Sequence, residues 1–576
     1  MNKRLLALAV SGLLLTACGS DNDSDNSNTG NPQGSPAAPG TDLASGQLLQ
    51  IGRYSSGIYD DGGAEITAFD ASTDKLFVVN SGDASIDVLD LSDPTNPQKL
   101  STIDVSATSV SGFSAGGANS VAVHGGLLAV AVEHDNKQSN GQVYFYNTDT
   151  QAFIAAVEVG ALPDMVAFTA NGDYLLSANE GEPSNDYKND PQGSISVIKV
   201  SDRSVRTAGF SDFNERIQSL KDEGVRLGGP AGTTVAQDLE PEYITFSGDQ
   251  ILAYVALQEN NALAVVDIAR AEVTRILPLG YKNHNLANQG LDANKNDKQA
   301  NIERLPIFGM YQPDAIASYM ADDGKTYIVS ANEGDGREYI SDDYATEQAC
   351  LDGGGLEFDD GECLFYLDET DLENLPLDEA SFSSNQRSRL NDPQGLGGLT
   401  VTNTLGDSDN DGKFEKIYAY GARSFSIWDS NGNQVFDSGD QFEQTIKQVA
   451  ADNFNASNDK NKIDNRSDNK GPEPEGVALA KLGSQVFAYI GLERQGGIMV
   501  YNITNPQQPT FVQYTSNRDF SVDPGDIDDG LLAADAAGDL GPEGMLVISA
   551  SDSPNGKPLL VVGNEVSGTT TIYEIR

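Results

Sequence analysis

The sequence predicts an all-β fold: a seven- or eight-bladed β-propeller closed by an N-terminal strand joining the last blade, with helical and loop insertions. Three observations predict it. A phrase recurs in which Pro and an acid open one apolar run, and a second run ends in Asn-Glu, Gln-Glu or Leu-Glu. It reads PDMVAFT (163–169) then YLLSANEGE (174–182), and PEYITFS (241–247) then AYVALQENN (253–261). PDAIASY (313–319) precedes YIVSANEGD (327–335), PEGVALA (474–480) precedes FAYIGLERQGG (487–497), and PEGMLVIS (542–549) precedes LLVVGNEVSG (559–568). The second observation is spacing: residues 64–105 hold four short Val/Ile/Leu-rich runs punctuated by Gly, Asn, Asp and Pro, matching the roughly 40–50 residues of a propeller blade. The third is the ends of the chain. The last unit has only three strands before Arg576, and LLQIGRY (48–54) is a strand with no unit of its own. Pairing the two leaves no open sheet edge.

Taken in order, the blades fall at 64–105, 117–159, 163–209, 241–280, 313–340, 474–514 and 542–576. An eighth candidate at 399–445 lacks the opening acid but has the strands KIYAYGA and SFSIWDS. Between blades, SDFNERIQSLKDEGVRLGG (211–229) reads as a short helix capped by Ser211 or Asp212 and ended near Gly224. Residues 341–397 and 437–472 are long excursions, and long loops on a rigid scaffold are where sites are usually built.

The N-terminus is organised differently. MNKRLLALAVSGLLLTACGS has Lys3 and Arg4, an apolar run and small residues before Cys18, the pattern of a secretory signal. Its LTAC ending resembles the lipobox of bacterial lipoproteins. That resemblance implies cleavage before Cys18 and lipidation of Cys18, which anchors a protein without spanning the membrane. Gly19, by the same resemblance, favours the outer membrane, on its periplasmic or its outward face. The predicted organisation is therefore a signal peptide (1–17), a lipidated Cys with a flexible linker (18–46) and the propeller (47–576). Cys350 and Cys363 then remain, and an oxidising compartment predicts a local disulfide between them.

The formal net charge is −50. Such a surface repels nucleic acid and anionic lipid and attracts divalent cations; it equally suits solubility in a salty habitat. No serine–histidine–acid arrangement and no glycine-rich phosphate loop stands out, and His124, His134 and His284 sit in no paired motif.

The sharpest chemical motif is Asp407-Ser-Asp409-Asn-Asp411-Gly412-Lys413-Phe-Glu415. Alternate carboxylates followed by Gly let a chain wrap a hard cation in oxygen ligands. An EF-hand would need Glu at the twelfth position, where Tyr418 stands. The arrangement resembles the calcium hairpin loops of integrin-type propellers, with Asp407, Asp409, Asp411 and Glu415 giving side chains and Lys413 its carbonyl. Calcium is the expected cofactor.

A second set follows from blade equivalence. The opening acids Glu65, Asp164, Glu242, Asp314, Glu475 and Glu543 should line one channel mouth, with a second ring of Glu133, Glu180, Glu259, Glu333, Glu493 and Glu565 behind them. Either they hold cations or they cap backbone amides of neighbouring blades. Arg337, Arg423, Arg466, Lys470, Arg494 and Arg518 sit in loops beside these motifs. Acids with arginines in one pocket would suit metal-assisted phosphoester hydrolysis. In that reading Glu242, Asp314, Glu475 and Glu543 hold metal, and Arg337, Arg466 and Arg494 position phosphate. Arginines paired off with carboxylates would mean a scaffold instead.

The strings quoted above, together with FNASND, NRSDNKGPEPEGVAL and NEVSGTTTIYEI, resemble the choice-of-anchor I domain family over about residues 47–576. The resemblance implies a secreted bacterial propeller tethered by one of several anchors. Its animal relative is a cell-surface glycoprotein associated with calcium biomineral, and some bacterial members carry alkaline phosphatase-like labels. Residues and resemblance together give a calcium-binding scaffold lipoprotein as the expected function, with a calcium-dependent phosphoesterase (alkaline phosphatase- or phytase-like) as the alternative and an adhesion protein for mineral or polymer as the second. The family supplies no agreed catalytic residues.

Overall fold

The computed structural model describes residues 44–359 and 361–576. The signal, Cys18 and most of the linker lie outside them.

The described chain is all-β, and its dominant motif is a four-stranded antiparallel sheet that occurs seven times. The sheets open with strands Thr67–Asp70, Ala115–His124, Pro163–Phe168, Ile244–Phe246, Ile316–Met320, Pro474–Leu482 and Pro542–Ile548. Each opening strand contacts the opening strand of the next sheet, and that of the seventh contacts that of the first, so the inner strands form a ring. In the seventh sheet Thr569–Ile575 pairs on its outer side with Leu48–Ser55, from Leu48↔Ile575 to Ser55↔Thr569. The second strands are Leu-, Val- and Ala-rich and buried on both faces, as central strands packed between neighbouring sheets must be.

The repeated phrase has a structural cause. In three sheets the pairing slips just after the opening proline, between Pro163 and Val166, Pro474 and Val477, and Pro542 and Met545. Each irregularity contains the acid: Asp164, Glu475 or Glu543. A bulge re-aims the side chain it carries, and here Asp164 and Glu543 line the central cavity.

The Asn of Asn-Glu has a different task. Asn332 Nδ2 donates to the hydroxyls of Ser424 (3.1 Å) and Ser426 (2.9 Å), and its Oδ1 accepts from Ser330 (2.7 Å). Asn179 and Asn564 likewise bond to the third strands of their sheets. Asn332 is fully buried, so truncating it orphans several polar groups. Asn332→Ala should cost about 2–3 kcal/mol, measured by urea denaturation followed through buried Trp428.

The region 399–445 is not an eighth sheet. Ser424–Asp429 and Gln434–Asp437 are the outer strands of the fifth sheet, pairing with Thr326–Asn332. The chain leaves that sheet after its second strand, runs through the excursion and returns, so one blade is split in sequence. Thr400–Thr402 and Tyr418–Ala419 join a separate five-stranded sheet with Tyr281–Asn283, Phe308–Met310 and Glu369–Asp371. The excursion also holds a three-stranded sheet and the Cys350–Cys363 disulfide, whose Cα atoms are 5.6 Å apart.

The insertion at 211–229 is a 3-10 turn (Ser211–Arg216) running into a helix (Ile217–Glu223). Gly224 ends it with φ +104°, as expected for a left-handed C-cap. Neither Ser211 nor Asp212 caps it; both already lie inside the 3-10 turn, and Ser211 Oγ donates to Gln192 instead.

Candidate functional site

The opening acids converge. A cavity of about 190 Å³ is lined by Asp164, Glu180, Glu242, Asp314 and Glu543, with Asn119 where the second sheet lacks an acid. Glu475 lies beside it, where one oxygen each of Glu333, Glu475 and Glu493 fall within 4.8 Å of one another. Glu65, Glu543 and Glu565 form a second such group. The alternative of simple backbone capping does not account for them. Glu242, Glu475 and Glu543 each leave a buried Oε2 without a hydrogen-bond partner, as does Glu259 behind them.

Crowding in a narrow, part-buried channel makes full ionisation costly. Burial first, and then Glu565 and Asp164, pushes the Glu65 carboxyl up to about 8, although a bond from Ser81 works the other way. Burial and Glu259 raise Asp164 to about 6. Glu242, Asp314, Glu475 and Glu543 are all raised well above the usual carboxylate range, by burial and then by one another and the second ring. A proton or a cation relieves this arrangement; leaving every carboxylate charged does not.

The basic residues sit elsewhere. Arg337 is buried and saturated: it donates to Asp238 (2.7 Å) and through Nε and Nη2 to Glu240 (3.1 and 2.8 Å). Arg466 and Arg494 both grip Glu473, at 2.7 and 3.2 Å, and Arg494 also meets Glu493 at 3.0 Å. Lys470 pairs with Glu333 and lies 3.7 Å from Glu473. Arg423 pairs with Glu443 at 2.8 Å, and Arg518 donates to the carbonyl of Arg494. None of these residues lines the cavity.

Sequence reasoning missed Glu473, Glu240 and Asp238, the acids that occupy these arginines. For Glu473 there was a signal: GPEPEG offers two acids at alternate positions, and only the second is the repeat's own. Burial opposes ionisation of Glu473, but Lys470, Arg466 and Arg494 outweigh it and hold the carboxyl below its ordinary value.

The Asp407 loop stands apart and partly exposed. One oxygen each of Asp407, Asp409, Asp411 and Glu415 lies within 4.8 Å of the others. Asp407 accepts from the amides of Asp411 (3.2 Å) and Gly412 (2.9 Å), and Glu415 accepts from Ser408 N (2.7 Å). The turn needs φ +58° at Asn410 and +84° at Gly412. The loop is anchored at Phe414, whose amide donates to Pro376 O (2.8 Å). An all-oxygen donor set with this clustering fits a hard divalent cation.

This fold and these carboxylate clusters define an acidic all-β domain of the propeller type. The chain belongs to the choice-of-anchor I domain family, whose pattern matches residues 65–506. It is 32% identical to Gigasin-3a of Magallana gigas over 189 residues, 31% of this chain and 65% of that protein. It is 28% identical to the mesenchyme-specific cell surface glycoprotein of Strongylocentrotus purpuratus over 352 residues, 55% of this chain and 43% of that protein. The chain thus spans less than two thirds of either relative. Among solved structures it is similar to the Neurospora crassa Pan2 WD40 domain (TM-score 0.42, 9% identity, 92% of this chain and 97% of that one). It is also similar to a Swd1 β-propeller domain (TM-score 0.39, 9% identity, 91% and 100%). Family and fold together support a secreted or cell-surface binding or scaffold module. Among the described residues no helix is long and apolar enough to cross a membrane.

Proposed function

We propose that this protein is a calcium-binding scaffold of the cell envelope: a seven-bladed propeller closed by Leu48–Ser55, tethered through lipid on Cys18 at the outer membrane. The observation that carries the reading is the clustering of four carboxylate oxygens in the Asp407–Glu415 loop. Asp407, Asp409, Asp411 and Glu415 would hold the ion, with the Lys413 carbonyl completing the set. Calcium would then stiffen the loop where it leaves the five-stranded sheet, presenting the excursion as a rigid surface to a partner such as a polymer or mineral.

The phosphoesterase reading has less support. It needs guanidinium groups free to fork onto a phosphate, and Arg337, Arg466 and Arg494 are each committed to carboxylates. No turnover of a generic phosphomonoester or phosphodiester is expected, with calcium or with chelator. Turnover abolished by Glu475→Gln would reverse this preference.

Asp407→Asn with Asp411→Asn should weaken calcium binding at the loop at least tenfold without unfolding the protein, read by calorimetric titration and circular dichroism. Unchanged affinity would mean that the loop is not the calcium site. Separately, Cys18→Ser should release the protein from the membrane fraction and abolish incorporation of labelled palmitate. Retention of the label would show that Cys18 is not the anchor.

A further inference from the structure

The seventh and first sheets meet where the ring closes, and three carboxylates face one another across that seam. Glu65 comes from the approach to the first sheet, Glu543 from the opening strand of the seventh, and Glu565 from just beyond the second strand of the seventh. One oxygen of each lies within 4.8 Å of the other two. Glu65 accepts a bond from the Ser81 hydroxyl. No salt bridge reaches any of the three from the described residues, and Glu543 Oε2 is buried with no partner at all. The other three-carboxylate group is paired directly, because Lys470 meets Glu333 and Arg494 meets Glu493, whereas the Arg494 charge acts on Glu565 only from beyond salt-bridge distance.

The backbone around the seam is shaped to bring these groups together. A β-carbon on Gly544 or Gly563 would collide with the Glu65 carbonyl oxygen, and one on Gly62 would strike the Ser81 hydroxyl. Glycine at these positions lets two sheets approach closely at the cluster, which brings three part-buried carboxyl groups together. Such an arrangement holds together when a multivalent cation sits between the oxygens.

We propose that Glu65, Glu543 and Glu565 bind a divalent cation of calcium type, which fastens the seventh sheet to the first. The seventh sheet also contains Leu48–Ser55, so the ion acts beside the sheet in which that strand pairs with Thr569–Ile575. This site is independent of the Asp407 loop: it uses other residues, on another part of the ring.

The test uses the full-length chain carrying Cys18→Ser, with Asp407→Asn and Asp411→Asn to silence the loop, titrated with calcium chloride. One residual site is expected, with a calcium-dependent rise in melting temperature and slowed amide exchange in Leu48–Ser55. Adding Glu543→Gln, or independently Glu565→Gln, should weaken that site at least tenfold. Because each change also removes like-charge repulsion, the variants in chelator should melt no lower than their parent. Adding Glu475→Gln should leave the residual site intact. Three results would overturn the proposal: no residual binding, binding unchanged by Glu543→Gln and Glu565→Gln, or binding lost only with Glu475→Gln.

Discussion

Protein held in chelator is expected to lose stability as the pH rises from about 5 to 8, and calcium is expected to flatten that slope. An unfolded glutamate releases its proton near 4.5, whereas folded Glu65 and Glu493 release theirs near 8. Between those values the folded channel keeps protons that the unfolded chain has lost. Raising the pH therefore favours unfolding, and the proton-linked stability is full below about 4.5 and gone above about 8. Burial is the main cause for both groups. Around Glu65 stand Ser81, Glu565 and Asp164; around Glu493 stand Glu473, Arg494, Glu333 and Glu565. A tenfold difference in proton affinity between folded and unfolded chain is worth about 1.4 kcal/mol, so these groups titrating together amount to several kcal/mol. Melting curves at pH 5, 6, 7 and 8 with and without calcium measure the effect. Stability that climbs with pH in chelator would show that the channel carboxylates are solvated and ordinary.

The second large effect is expected at Glu473. This residue is fully buried and takes Arg466 and Arg494 on its two oxygens, with Lys470 at 3.7 Å. Glu473 has φ +54°, so the backbone is strained to place it there. Removing the carboxylate leaves Arg466, Arg494 and Lys470, all part-exposed, without their common partner, and breaking a buried ion network, discounted for that exposure, costs about 2–3 kcal/mol. Glu473→Ala should lower urea stability by that amount, while Glu415→Gln on the exposed loop should change it by less than about 1 kcal/mol without calcium. A small effect at Glu473 would mean that the arginines find water or other acceptors, and would return them to candidacy for an oxyanion site.

The repeat was legible because several blades share the same mechanical tasks. In three of them a proline and an acid mark the bulge at the channel, and in three an asparagine pins the third strand. Those constraints are local, so they show in short strings such as PDMVAFT and SANEG. The split of the fifth sheet was not legible. Its third strand, SFSIWDS, lies more than 90 residues after its partner Thr326–Asn332, and pairing at that distance leaves no local pattern. The acids of the channel could be placed from blade equivalence alone. The fate of the arginines could not, because Asp238 sits in a one-turn helix before its blade and Glu473 one step outside the repeat. Both are close to their arginines only after folding. The Asp407 loop needs only nine consecutive residues to assemble its oxygens, which is why its motif is plain in the sequence.

Calcium binding by the Asp407 loop is tested most directly by calorimetric titration of calcium into the full-length Cys18→Ser chain and its Asp407→Asn/Asp411→Asn counterpart at neutral pH. Saturable binding is expected in the first and loss of one site in the second, with circular dichroism unchanged. Absence of calcium binding to the unmodified loop at millimolar concentrations would contradict a calcium-binding scaffold.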